Sequence, residues 1–223
     1  MPPTAIFSSK GALAYAELRR LILTAELAPG ARLSQDEFAE SMGMSITPLR
    51  EAVRQLASEG LVTMSPHRDV RVSAVSADEA RQLLEARLSL EPFAMRLAAE
   101  RRTDEQLRTM AEAADRLLPV NRRTGDEAIE AHRVFHQTVY AASGNDVMIR
   151  MLDDLWDKTD RYRRLGLTLP EGDAPRTQDL AQHHELLRLI ADGNGPGAED
   201  LAHTHIAQSL AATVLDALDP TTP

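Results

Sequence analysis

The stretch from Pro29 to Val62, PGARLSQDEFAESMGMSITPLREAVRQLASEGLV, sets two short helical patterns on either side of a single tight turn. Ser34 is placed to cap the first helix, whose apolar residues Phe38, Ala39 and Met42 recur at helical spacing, and Gly43 supplies the left-handed residue that ends it. Ser45 or Thr47 can cap the second. Pro48 falls in its first turn, where a missing N–H does no harm, Leu49, Val53 and Leu56 form its inner stripe, and Gly60 stops it. Helices joined by so short a turn cross steeply. The second then presents an outer face carrying Ser45, Ile46, Thr47, Arg50 and Arg54, a shape and chemistry that suit the major groove of duplex DNA.

The flanking segments complete a module of residues 11–75. Leu13, Leu18, Leu21, Ile22 and Ala25 give Leu13 to Leu27 the pattern of a packing helix, broken by Ala28-Pro29-Gly30. Beyond Gly60, Leu61 to Ser65 and Val70 to Ala74 are β-prone and flank the turn Pro66-His67-Arg68-Asp69, which reads as a wing. Arg68 and Arg71 can reach the DNA backbone or minor groove from there, or stand as ordinary solvated charges. Ile46 can rest on a thymine methyl or pack under the wing; both readings are open.

Charge fits this division. The chain of 223 residues carries a formal net charge of −9, yet residues 1–75 hold eight basic and eight acidic residues, so the whole excess lies on the remainder. That remainder is long enough for its own core. Residues 1–10 and 219–223 read as disordered tails. With no cysteine, disulfides, thiolate metal sites and cysteine nucleophiles are excluded. No apolar run is long enough to span a membrane and the first ten residues lack a signal-peptide core, so a cytoplasmic protein with no membrane partner is expected.

The module resembles the GntR family of bacterial winged-helix transcription regulators. The likeness lies in Leu-Arg-Arg-x-Ile, Pro-Gly-x-x-Leu, Gly-x-Ser-x-Thr-Pro-Leu-Arg-Glu-Ala-Val-x-x-Leu and Glu-Gly-Leu-Val, in register over a dozen positions. Three departures stand out. The family usually has arginine where this chain has Asp36 and Ile46, and glycine at the wing tip where it has Asp69. Arg50 matches a family arginine.

Residues 76–218 read as an all-helical bundle. Ser76 caps a helix running past Glu91-Pro92 to about Arg101, and Thr103 caps one ending near Leu118-Pro119. A third spans Gly125 to Ala142, and Asn145 caps a fourth to about Leu165. After a looser segment, Gly166 to Pro175, come Thr177 to Ala191 and Gly197 to Leu218. On the third helix Ile129, His132, Phe135, His136 and Val139 share one stripe, so the two histidines can hold one ion together. His184, on a stripe with Leu187 and Ala191, and His205, with Leu201 and Ala198, bring the set to four. Burying four imidazoles is costly unless their nitrogens are satisfied, and a shared divalent cation, zinc or nickel for so nitrogen-rich a set, does that. His183 is offset from the stripe, His203 faces away, and His67 belongs to the wing. Arg87 lies on the stripe Leu83, Arg87, Leu90, Ala94, where it needs an anion: an effector carboxylate, or Glu91 four residues on. Arg163, near Trp156, Thr159 and Tyr162, is a second anchor.

This bundle is similar to the ligand-binding FCD domain of the FadR subgroup of GntR regulators. The matching residues are Glu85-Ala-Arg-Leu-Ser-Leu-Glu-Pro-Phe-Ala, Phe135-His136, Ser143-Gly144-Asn145, His184-Glu-Leu-Leu-Arg-Leu-Ile and His205-Ile206. In metal-containing members an aspartate and three histidines hold the ion. Carried over, these positions are His132, His136, His184 and His205, with His132 standing for the aspartate. The resemblance implies a homodimeric regulator, read as a repressor, that binds a palindromic operator in double-stranded DNA and responds to a small organic acid. Two rival readings are a helical metalloenzyme using the four histidines, which lacks an HExxH-type general base, and a structural helical protein that has lost DNA binding.

Overall fold

The computed structural model describes residues 9–65, 69–174 and 176–218, which fall into two compact units parting between Val75 and Ser76. Pro66, His67 and Arg68 of the expected wing turn, most of the first tail and the last five residues lie outside the described residues. Ser9 and Lys10, read as tail, instead open a helix: the Ser9 hydroxyl accepts from Ala12 N at 3.1 Å.

In the first unit, α1 (Lys10–Leu23), α2 (Gln35–Ser41) and α3 (Ile46–Ser58) precede the antiparallel pair β1 (Val62–Met64) and β2 (Val70–Val72), in register Val62 to Val72. Gly43 has φ +60, the left-handed residue that the turn between α2 and α3 requires. Leu18 and Ile22 of α1 meet Leu49, Val53 and Leu56 of α3 in a core closed by Leu61, Val62, Val70 and Val72. Each fully buried side chain of this size contributes about 1.5–3 kcal/mol of transfer free energy. α1 is shorter than the apolar pattern suggests, because Thr24 turns its hydroxyl back to Arg20 O at 3.0 Å and Ala25 adopts φ +59. Leu13, read as part of the apolar stripe, is exposed. The 30–33 segment runs beside β2, with Val72 N donating to Ala31 O and Leu33 N to Val70 O.

The second unit is helical: α4 (Ala77–Arg101), α5 (Asp104–Ala114), α6 (Gly125–Ala142), α7 (Asp146–Thr168), a 3-10 turn (Pro170–Asp173), α8 (Thr177–Ala191), α9 (Gly195–Ala207) and α10 (Leu210–Leu218). Ser76, Thr103 and Asn145 cap their helices as read, Thr103 in a full capping box with Gln106. α4 is central, packing on α6, α7, α8, α9 and α10 around Met95, Met110, Phe135, Tyr140, Trp156 and Leu186.

Two expectations need correction. The second helix stops at Ala114 rather than near Leu118, and the last predicted helix is two. Arg176 donates to the Gln208 carbonyl at the end of α9, and α10 then turns so that Leu210 and Val214 lie on Gly166 of α7, where a side chain would collide with them. No described helix is long and apolar enough to cross a membrane.

Candidate functional site

The first candidate surface is the outer face of α3. Ser45 is its N-cap, Thr47 and Arg54 are exposed, and Ile46 and Arg50 are half-buried. Among the described residues Arg50 and Arg54 have no acidic partner, so both guanidiniums are free for phosphate or guanine. Arg71 is not free. Asp69 accepts from Arg71 at 2.8 Å and pairs with Arg32 at 3.1 Å, and Arg71 also donates to Gly30 O at 3.3 Å. The wing-tip acid that departs from the family pattern therefore holds two cations of the DNA module.

The second candidate site lies where α6, α8 and α9 meet. His136, His183 and His205, all buried, bring one ring nitrogen each to within 4.8 Å of one another. His184 is exposed, and the position predicted for it is taken by His183. His132 is buried beside the triad, its ring centroid 4.4 Å from that of His183, but its Nε2 lies 3.1 Å from the Leu118 carbonyl, to which it donates. The structure thus brings together two of the four predicted ligands plus a third that the sequence reading passed over.

The protons on this triad follow from its neighbours. The Asp179 carbonyl can only accept, so His183 carries its proton on Nδ1; Gln182 Oε1, 2.9 Å from His205 Nδ1, fixes His205 in the same way. Tyr140 donates its one hydroxyl proton to Glu91 at 2.7 Å and accepts from Trp156 Nε1 at 3.1 Å. The contact of Tyr140 with His136 Nδ1 at 3.1 Å is therefore a donation from the imidazole. Each histidine is left with an Nε2 lone pair. Those of His136 and His183 face each other at 2.9 Å with no proton to share.

Two buried acceptors left this way cost roughly 1–3 kcal/mol each. A cation between them removes the conflict, since nitrogens about 2.0–2.1 Å from one zinc stand roughly 3–3.4 Å apart. Burial, then the neighbouring imidazoles His183 and His205, holds His136 well below the usual imidazole pKa. Burial and then Arg87 and Arg163 push His205 down to about 3. Burial and then Arg163 bring His132 to about 4. Neutral imidazoles with their second nitrogens tied to carbonyl, amide and phenol oxygens are the donor set that a divalent transition metal takes.

Beside the triad is a small, partly open recess lined by Val120, Ile129, His132, Arg163, Asp179, His205, Ser209 and Leu210. Arg163 is buried with its guanidinium 3.7 Å over the Trp156 ring. Burial and then Arg87 lower its pKa to about 10, so it stays charged at neutral pH. Arg87 is fully buried in the internal pair with Glu91, Nε to Oε1 2.5 Å, while its Nη1 has no hydrogen-bond partner. It lines a separate, small recess with Leu83, Thr159 and Tyr162. The two predicted effector anchors therefore face different recesses.

Residues 11–72 match the gntR family of bacterial regulatory proteins, and residues 82–208 match the FCD domain. An uncharacterized HTH-type transcriptional regulator in an unstable DNA locus of Streptomyces ambofaciens is 34% identical over 194 residues, 86% of this chain and 80% of that one. The chain belongs to the GntR family. The HTH-type transcriptional repressor GlaR of Escherichia coli is 27% identical over 202 residues, 86% of this chain and 90% of its own. The solved structure of Escherichia coli McbR/YncC aligns with a TM-score of 0.79 and 25% identity, over 94% of this chain and 98% of that one.

As a GntR-family member with an FCD domain, fitting the FadR-like subgroup, this chain is a DNA-binding transcription regulator, and the proteins it resembles are regulators rather than enzymes. The sequence reading set His183 aside and did not point to Tyr140, whose hydroxyl accepts from His136. A signal for His183 existed: Asp179, His183, Leu186 and Ile190 share the buried stripe of α8, while Leu187 is half-buried and Ala191 exposed. The hydrogen bonds that fix Tyr140 against His136 had no local signal, because its other partners Glu91 and Trp156 come from α4 and α7.

Proposed function

We propose that this GntR-family protein is a homodimeric repressor of a palindromic operator, and that a small organic acid, bound next to a divalent metal, sets its affinity for DNA. The observation that carries the metal is the facing of the His136 and His183 Nε2 atoms at 2.9 Å, with His205 completing the set and each second nitrogen already committed. His136, His183 and His205 would hold zinc or nickel, which would supply an open coordination position to an anion. The effector expectation is supported by Arg163 on the neighbouring recess. The operator-reading role belongs to Thr47, Arg50 and Arg54 on the exposed face of α3, with Arg71 and Arg32 released from Asp69 onto phosphate.

The test is a pair of single variants of the full chain. Elemental analysis should find about one metal per wild-type chain and none in His136→Ala. Arg50→Ala should retain the metal and lose roughly 1–3 kcal/mol of operator affinity at fixed salt. Metal retained in His136→Ala, or DNA binding untouched in Arg50→Ala, would contradict the corresponding assignment.

A further inference from the structure

Ile46 opens α3 with an apolar, β-branched side chain that the core of the first unit does not take up. The helix buries Leu49, Ala52, Val53 and Leu56. Met42 and Met44, just before it, pack against that core while partly exposed; Ile46, also partly exposed, is not among the described side chains packed there. Val62, Val70 and Val72 of the wing strands belong to the same core, so a seat for Ile46 under the described part of the wing would have placed it there.

Ile46, Arg50 and Arg54 follow one another along one side of α3 at four-residue spacing, about 6 Å per step. The two arginines carry donors for a base or a phosphate; Ile46 has none. A helix of this kind brings its N-terminal residues to the base edges of the major groove. There guanine, adenine and cytosine present hydrogen-bonding groups, and thymine adds a methyl group beside its carbonyl. An apolar side chain set against the first three takes water from polar groups and returns no hydrogen bond, which is disfavoured, whereas the thymine methyl gains from the contact. β-branching favours it too. In a helix isoleucine keeps essentially one χ1 rotamer, so little side-chain freedom is lost on docking.

We propose that Ile46 fixes one base of the operator half-site, its side chain resting on the C5-methyl of a thymine so that the protein selects a T·A pair there. This rests on the operator-reading role of α3 proposed above. Arg50 and Arg54 supply affinity, and Ile46 supplies a preference. The two roles separate by salt, since phosphate contacts set the salt dependence and a methyl contact does not.

The experiment begins with a duplex selected by the full-length protein from a random-sequence library at fixed salt. The duplex is remade with each thymine in turn replaced by deoxyuridine, which keeps the pairing and removes only the 5-methyl group. At one thymine in each half-site the replacement should weaken wild-type binding about fourfold, the worth of one buried methyl. At that position 5-methylcytosine should bind better than cytosine. Ile46→Ala should bind the thymine and deoxyuridine duplexes equally, with an unchanged slope against log salt. If Ile46→Ala does not fold, Ile46→Val, which keeps the β-branch and loses one methyl, decides the matter, its deoxyuridine penalty falling below that of wild type. The absence of any thymine whose methyl matters to wild type, or a penalty of wild-type size in these variants, overturns the assignment of Ile46 alone. A selection that yields no preferred sequence, or Arg50→Ala binding as tightly as wild type, overturns α3 as the reading helix and this inference with it.

Discussion

The difference between His184 and His183 is one residue of helix phase, and it separates an imidazole in solvent from one in the core. The sequence places two adjacent histidines on α8; choosing between them means knowing which apolar row faces inward. Leu187 and Ala191 are as apolar as Leu186 and Ile190, so composition gives no decision, and packing against α9 makes it. His183→Ala should therefore lower zinc affinity by more than the roughly 10–100-fold typical of losing an outer-shell partner, and His184→Ala should leave it unchanged in a competition titration with a chelating dye. Asp69 is the second residue with a consequence of its own. It neutralises Arg32 and Arg71, which phosphate must win away, and exposed pairs of this kind are weak, about 0–1 kcal/mol. Asp69→Asn should raise DNA affinity severalfold and steepen the dependence on log salt by about one to two units, read by fluorescence anisotropy. Weaker binding by the variant would mean that Asp69 aligns these arginines rather than competing for them.

Among elements, those with local punctuation were legible and those ended by distant contacts were not. Ser76, Thr103 and Asn145 announce their helices through side-chain caps, and Gly43 announces the turn of the DNA module through its positive φ. The break between α9 and α10 has no such marker. It depends on Arg176, some thirty positions away, reaching the Gln208 carbonyl, and on Gly166 leaving room for Leu210 and Val214. Gly166 has no side chain because α10 occupies the space: a Cβ there would stand 2.9 Å from two Leu210 atoms. Gly166→Ala should consequently destabilise the protein by about 1–3 kcal/mol, as overpacking does, visible as a lowered urea midpoint. A neutral effect would show that α10 shifts freely, and would weaken its role as the wall that carries Leu210 to the recess.

At the scale of the whole molecule, two units divide the work by chemistry. The first carries a face of exposed and half-buried cationic and small polar residues on α3; the second buries the pairs Arg87–Glu91 and Arg163–Asp160 together with three neutral imidazoles. The division was legible from the helix-turn-helix and wing pattern, and charge agrees with it, since the net charge of −9 falls entirely beyond residue 75. The histidine triad was legible as a class, histidines on the third and the last two helical patterns, but its membership was not, because three-dimensional convergence depends on crossings that no single helix encodes. Linkage requires that an effector which weakens operator binding be itself bound less well by the DNA complex. The most direct test is therefore operator affinity of the full-length protein at fixed salt, measured with zinc alone, malonate alone, both, and neither. At least a tenfold fall in affinity is expected when zinc and malonate are present together, with no fall with malonate alone and no response in His183→Ala. Operator affinity identical in all four conditions would contradict metal-dependent control of the operator by a small acid.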